Sequence, residues 1–360
     1  MIAFLIILPL ILTYMIVVVW AERKISAFIQ DRLGPMEVGY YGIGQTIADL
    51  IKLLFKEDII PEKADKNLFA AAPVIIFVSV FAGYAVLPLG PDIIGSSVPT
   101  GVFYLLTIIS LDVVGLMLAG WASHNKFSML GSLRGISQII SYEVPLTLSV
   151  LSAVVICQSL NLQEISMQQG VYASEANYLF GIKSLAIDIS QVGGFLTWNI
   201  FRAPILIPVF LIFFIASLAE CNRAPFDIPE AESEIVAGFH TEYSGFRWAL
   251  LFLGEYSMML LICLLGAVLF LGSWNTPFPN MGGVKLGTWT SGPPGTIAGN
   301  LWGFFWIISK AFFLVFLQMM ARWTYPRLRV DQLMNFCWKV LLPTSLILFF
   351  FSALWRLLMI

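Results

Sequence analysis

Eight runs of apolar residues dominate this chain of 360 residues, at roughly 2–20, 68–88, 101–121, 136–158, 203–221, 247–272, 301–322 and 340–358. Each has the roughly 20 residues that a helix needs to cross about 30 Å of hydrocarbon. Hydrophobic residues make up 59% of the sequence and charged residues 12%, with a mean hydropathy of +0.86. No soluble fold hides that much apolar surface. The expected fold class is an all-α integral membrane protein of about eight transmembrane helices, a single polytopic domain over 1–360. The stretch 184–200 is a weaker ninth run. Asp188, Gln191, Gly193 and Gly194 interrupt it, and it reads as a loop element. Met1–Trp20 reads as a spanning helix rather than a cleavable leader, because no basic segment precedes it and no small-residue cleavage site follows.

Charge sets the orientation. The odd-numbered loops with their flanks hold 15 Lys and Arg, and the even-numbered loops hold 3. The odd loops therefore face the cytoplasm or its equivalent, and both termini face the other side. A formal net charge of −2 excludes a basic nucleic-acid binder. The chain holds four cysteines, Cys157, Cys221, Cys263 and Cys337, too scattered for an iron–sulfur or structural zinc site. His124 and His240 are far apart, which argues against a bis-histidine haem. Any electron carriers, FMN included, are expected on other chains.

The polar chemistry lies on the positive side. Loop 21–67 contains a candidate amphipathic helix over 45–57. Ile47, Leu50, Ile51, Leu54 and Phe55 follow helical spacing there, opposite Asp49, Lys52 and Lys56. Such a helix lies in the membrane interface or docks on a partner. Loop 222–246 carries Asp227, Glu230, Glu232, Glu234 and Glu242 with one base, Arg223. A helix after Pro229 would place Glu230 and Glu234 on one face. Like charges this close raise one another's pKa and titrate as a set. A hydrated acidic loop or a divalent-metal site are the alternatives.

Ionisable groups inside apolar runs are costly, and they point to function. Asp112, Glu143, Glu220, Glu255 and Lys310 fall within or at the ends of spans. One base cannot neutralise four acids, so the set reads as proton-exchanging sites crossing part of the bilayer. The alternative for any one of them is a helix-locking pair, such as Lys310 with a carboxylate. Pro145 cannot donate to the Ser141 carbonyl, so it either bends the helix and admits water beside Glu143 or only shapes packing.

The run "ECNRAPFDIPEAESEIVAGFHTEY" at 220–243 resembles the signature of the membrane subunit called H, or subunit 1, of respiratory complex I (NADH:quinone oxidoreductase). The stretches "AERKISAFIQDRLGP" at 21–35, "GQTIADLIKLLFKE" at 44–57, "GWASHNKFSMLGSLRGISQIISYEV" at 120–144 and "YPRLRVDQLM" at 325–334 resemble the same family in order. The resemblance covers essentially the whole chain. It implies a subunit that joins the redox arm to the proton-pumping membrane arm. Its positive-side loops help form a quinone chamber, and its buried carboxylates lead inward.

By position, Glu22, Arg23, Arg32, Asp49, Lys52, Arg134, Arg223 and Asp227 are the implied chamber residues and counter-charges. Glu143, Glu220, Glu230, Glu232, Glu234, Glu242, Glu255 and Lys310 form the implied proton pathway, and Arg322 also matches. Implied partners are iron–sulfur subunits on the positive side, small and antiporter-like membrane subunits, quinone and lipid. The expected location is a bacterial inner membrane, with mitochondrial inner membrane or thylakoid as alternatives. Two departures stand out. Met36 and Tyr40 replace the Asn and Pro of the family's "GPNxxGPxG" pattern, and Asp112 stands where the family carries an apolar residue. Competing readings are a homologous subunit of a membrane-bound hydrogenase, a stand-alone ion transporter, and a structural anchor without proton work.

Overall fold

The helix Gly245–Leu269 is apolar on every side, and its residues from Tyr256 to Leu269 are all buried. A helix hydrophobic all round belongs in the middle of a bundle, and this one packs against helices from both halves of the chain. A computed structural model describes residues 2–173, 176–182, 188–230, 232–280 and 285–359, with side chains from Ile7 onward in the first helix.

In chain order the helices are α1 (Ile2–Ile29), α2 (Gln45–Phe55), α3 (Lys66–Gly83), α4 (Gly101–Ala122), α5 (Lys126–Cys157), α6 (Leu162–Met167), α7 (Asn199–Arg202), α8 (Leu206–Glu220), α9 (Glu232–Ile235), α10 (Gly245–Leu269), α11 (Leu286–Ser291), α12 (Ile297–Thr324), α13 (Val330–Phe336) and α14 (Leu342–Met359). The described residues form no named strand, so the all-α expectation stands.

Each of the eight apolar runs has a helix. Six are long and apolar enough to cross a membrane: those in Lys66–Val86, Gly101–Ala122, Lys126–Cys157, Gly245–Leu269, Ile297–Thr324 and Val330–Met359. The last continues from α13 into α14 through a π-helical turn at Cys337–Leu341. The run at 203–221 is shorter than expected, because α8 has 15 residues. The first run forms a helix of 28 residues that reaches well past Trp20. The described part of 184–200 is turns and the start of α7, in keeping with a loop.

Local chemistry sets the helix starts. The Asp65 carboxylate accepts from the backbone N–H of Asn67 and Leu68 at 3.2 and 3.4 Å. The Asn125 side chain accepts from Phe127 N–H at 2.9 Å, and Thr296 accepts from Gly299 N–H at 3.1 Å. Each satisfies a donor that the first helical turn leaves open. Helix α2 stops at Phe55 rather than at residue 57, because Lys56 adopts an extended conformation (φ −74°, ψ 138°). Its apolar side chains Leu50, Ile51, Leu54 and Phe55 stay exposed on the chain, as an interfacial or docking helix requires.

Pro145 does not interrupt α5, which runs continuously from Lys126 to Cys157. The Ser141 carbonyl that loses its helical donor accepts from the Cys337 thiol at 3.1 Å. A side chain thus takes the place that water would otherwise fill.

Candidate functional site

Helices α1, α10 and α12 and the loop after α8 meet at a cavity of about 330 Å³. Glu22 and Arg23 come from the last turns of α1, Glu255 and Tyr256 from α10, and Arg322 from the end of α12. The loop after α8 supplies Arg223, Asp227 and Glu230, and Arg32 stands at the rim of the same space. Asn222 turns the chain out of α8 with φ 49°, a left-handed conformation that asparagine accepts more readily than most residues. That turn directs Arg223 inward.

Glu22 is the centre of the outer part. Its oxygens accept from Arg223 Nη1 at 3.1 and 3.3 Å, from Tyr256 Oη at 2.5 Å and from Arg322 Nη1. The Arg223 guanidinium also lies over the Tyr256 ring, 4.0 Å from its centroid. Glu22 and Arg223 are both buried. A carboxylate between two cations that never deprotonate has a fixed charge. Beside it, Arg23 pairs with Asp49 of α2 at 2.5 Å, which ties the amphipathic helix to α1.

Deeper in the loop, His240 bridges two acids. Its Nε2 lies 3.1 Å from Glu230 Oε1 and 3.2 Å from Glu255 Oε1. Gly238 makes the bridge possible. Its φ is +54°, and a Cβ there would sit 1.8 Å from the Pro229 carbonyl oxygen. The ring packs on Phe239, centroids 4.0 Å apart. Burial opposes a charge on the imidazole, but the hydrogen bonds and negative charges of Glu230 and Glu255 outweigh it and hold the pKa at about 10. Glu230 moves the opposite way from a free carboxyl. Burial pushes it up, and the His240 contact brings it below the usual carboxylate value. The three donor atoms lie within 4.8 Å of one another. A protonated imidazole places a positive charge between the two carboxylates. Burial, with the nearby Glu230 charge, raises Asp227 to about 6 against the pull of Arg327, whose Nη2 donates to it at 2.7 Å.

Beyond Glu255 the acids lose their counter-charges. Asp112 lies within electrostatic reach of Glu255, and Glu220 within reach of both Asp112 and Glu143. Asp112 Oδ1 and Glu220 Oε2 are buried without a hydrogen-bond partner among the described residues. Glu143 accepts from the Ser110 hydroxyl. The series Glu255, Asp112, Glu220, Glu143 runs from the charged cavity into the bundle.

A second space of about 280 Å³ opens between α1, α2 and α10. It is apolar, with Leu12, Met15, Ile16, Leu50, Leu53 and Trp248 in its walls, and it shares Val19, Arg23 and Phe252 with the charged cavity. Trp248, Phe252 and Tyr256 follow one another at helical spacing on α10, with centroids 5.1 and 4.6 Å apart. They form a continuous aromatic edge from the groove to Glu22.

Several sequence-designated residues stand elsewhere. Lys52 is exposed on α2 and lines neither space. Arg134 pairs with Glu234 at 2.6 Å on an exposed surface. Glu230 and Glu234 do not share a helical face, because α9 starts at Glu232 and Glu230 turns to His240. The side chain of Glu232 lies outside the described residues. Glu242 accepts from Asn125 Nδ2 at 2.5 Å, away from the cavity.

Among the described residues Lys310 pairs with no carboxylate, and in particular not with Asp112. Its Nζ donates to the carbonyls of Ser273 and Asn275 at 2.8 and 2.6 Å and lies over the Trp198 ring. Buried backbone carbonyls beyond the end of α10 meet its hydrogen-bonding needs. Sequence reasoning passed over His240 and Tyr256. A lone imidazole among five acids, and a tyrosine next to Glu255, were the available signals.

A family model described as NADH dehydrogenase matches residues 2–353. A protein from Cytophaga hutchinsonii, named as an H subunit (number 2) of NADH-quinone oxidoreductase, is 65% identical over 353 residues, 97% of each chain. Proteins named as the H subunit of NADH-quinone oxidoreductase in Chlorobaculum parvum and Chlorobaculum tepidum are 51% and 50% identical over 337 residues, 94% of this chain and 86% of theirs.

Proposed function

The chain belongs to the NADH dehydrogenase family, and from that premise we propose that it is the membrane subunit of a proton-translocating NADH:quinone oxidoreductase that encloses the quinone site. The observation that carries this is the apolar groove sharing three wall residues with the charged cavity. A quinone has a long apolar tail and a polar head, so it needs a site that is greasy at its mouth and polar within. The groove between α1, α2 and α10 takes the tail from the lipid. Phe252 and Tyr256 lead the head toward Arg23, Arg223 and Arg322.

The arginines favour a reduced, anionic quinone over the neutral oxidised form, which lowers the barrier to electron arrival. The electrons come from iron–sulfur subunits docked on the positive side, and no redox group resides on this chain. The charge change in the cavity acts first on the Glu230–His240–Glu255 cluster. It then passes through Asp112, Glu220 and Glu143 toward neighbouring antiporter-like subunits. A carboxyl suits each step because gaining one proton changes its charge by one, at a pKa that burial can tune. The location is a bacterial inner membrane.

The test is to purify the tagged chain from its native membrane in mild detergent, identify its companions and label the preparation with a photoreactive quinone. Iron–sulfur and antiporter-like companions, quinone reductase activity and labels on α1, α2 or α10 are the expected result. A nickel–iron hydrogenase companion without quinone activity contradicts the reading. So does a solitary chain that moves ions in liposomes.

A further inference from the structure

Glu230, His240 and Glu255 bring one nitrogen and two oxygens to a single point. His240 Nε2 lies 3.1 Å from Glu230 Oε1 and 3.2 Å from Glu255 Oε1, and the three atoms all lie within 4.8 Å of one another. A ring nitrogen carries at most one proton. Two carboxylate oxygens at nearly equal distance from Nε2 therefore share a single N–H, and one proton serves two acceptors poorly. A cation seated among the three donors engages all of them at once.

The spacing suits zinc. Zinc binds imidazole nitrogen and carboxylate oxygen at about 2.0–2.2 Å, so the donors of a tetrahedral ion stand about 3.3–3.6 Å apart. The two nitrogen–oxygen distances need to widen by only a few tenths of an ångström. Three protein ligands leave the fourth corner to water, as in exchangeable sites rather than closed structural ones. An entry path exists, because Glu230 and Glu255 both line the charged cavity. Asp227 lines it too, and its Oδ1 is buried without a partner among the described residues. That carboxyl is a further acid within electrostatic reach of Glu230 and Glu255. Charge points the same way. Two carboxylates with an imidazolium keep a net negative charge, whereas two carboxylates and a neutral imidazole balance a divalent ion.

We infer that Glu230, His240 and Glu255 form an exchangeable site for a zinc-like divalent cation, and that the bound ion arrests quinone turnover. The binding stands on the donor geometry, and the arrest rests on the quinone reading above. Glu230 and His240 belong to the acidic loop and Glu255 to α10, so the ion cross-links the loop to the bundle. On binding, the Nε2–H bond breaks and its proton leaves to water. The freed lone pair and one oxygen of each carboxylate take the ion, and no electron is transferred. Magnesium and calcium prefer all-oxygen shells and gain little from an imidazole.

The surroundings set the strength of the site. Arg223 and Arg322 extend their charge to Glu230, and Arg223 to Glu255 as well, so they oppose an added cation. Asp227, held by Arg327, and Asp112 of α4, within reach of Glu255, favour one. The turn carrying His240 packs on α4 and α5, where Arg134 is already engaged by Glu234. Trp248 faces the ring from α10, and Lys56 and Tyr243 stand with His240 around a separate space. His240 Nδ1 has no hydrogen-bond partner among the described residues. A ligand ring without such a partner binds about 10–100-fold more weakly than one that has it. The ion is therefore held reversibly, as an inhibitor rather than a structural part. Zinc and the proton compete for Nε2, so binding weakens as pH falls.

The experiment uses the assembled complex, purified without a histidine tag, stripped with EDTA and given zinc chloride alone. Zinc retained after gel filtration is measured by mass spectrometry. Wild type is expected to hold one zinc more than His240→Gln, and the difference in zinc-edge X-ray absorption should show one imidazole and oxygen ligands at about 2.0–2.2 Å. Should His240→Gln not assemble, Glu230→Gln carries the same comparison. Quinone turnover is normalised to NADH oxidation by ferricyanide, an acceptor that bypasses the quinone, and each protein is compared with its own zinc-free rate. Zinc should inhibit wild type, magnesium at the same concentration should not, and the variant should need about tenfold more zinc or beyond. Equal zinc retention by wild type and variant, or inhibition of both at the same zinc concentration, overturns the inference and leaves the quinone reading untouched. An extra zinc bound by wild type with turnover unchanged upholds the site but overturns the arrest, and removes this cluster from the quinone reading.

Discussion

Glu22 and Glu220 are buried to similar depth, at 5% and 2% exposure, and keep opposite company. Glu22 has two guanidiniums and a phenol on its oxygens. Glu220 has an unpartnered oxygen and two further acids within electrostatic reach. None of Asp112, Glu143 and Glu220 forms an ion pair among the described residues. The first arrangement has one stable charge state and acts as an anchor. The second has no such counter-charge, and the reading proposed above assigns it the exchange of protons. The two regimes meet at Glu255, whose Oε1 lies 3.2 Å from His240 Nε2.

Breaking the anchor has the largest expected effect. Glu22→Gln leaves Arg223 and Arg322 without their carboxylate, a change of about 3–5 kcal/mol for a buried pair. Loss of the assembled complex, or a sharply lower unfolding temperature in detergent, is the measurement. A variant that assembles and melts like wild type would show that Glu22 is no anchor.

The pH dependence of stability sharpens the boundary. The pKa of His240 is raised to about 10, so its contribution is complete below the unfolded imidazole value of about 6.5 and lost as pH rises through about 10. Asp227, also raised, to about 6, favours the fold below its unfolded value of about 3.9 and loses that contribution as pH rises through about 6. Melting curves should therefore show wild-type stability falling between pH 7 and pH 10, with His240→Gln lower throughout and flatter over that window. An identical slope in the variant would show that the imidazolium does not stabilise the loop.

The smallest effect belongs to Arg134→Gln. Arg134 and Glu234 are 33% and 55% exposed, and such pairs contribute about 0–1 kcal/mol. Unchanged melting is expected. A loss of several degrees would mean that the acidic loop leans on this pair.

The spans were legible because apolar length is all that a membrane helix demands, and α2 because its two faces differ in polarity. The acidic loop was legible as a concentration of charge, but its partnerships were not. Nothing in the spacing of Glu230 and Glu234 reveals that the helix starts only at Glu232, or that Glu230 reaches His240 through a turn made by Gly238. A carboxylate partner was the alternative reading for Lys310, because charge arithmetic ignores backbone carbonyls, and two of those are its acceptors. Pro145 announced a free carbonyl correctly, but Cys337, the side chain that fills it, lies 196 positions away along the chain.

Glu220 is the residue on which the inward carboxyl series depends most. Glu220→Gln, isosteric and unable to ionise, should be made in the assembled complex and reconstituted in liposomes. NADH oxidation by ferricyanide should match wild type, while quinone-driven proton uptake falls by about tenfold or more. Proton movement per quinone reduced that equals wild type, in a fully assembled variant, would contradict the inward carboxyl series.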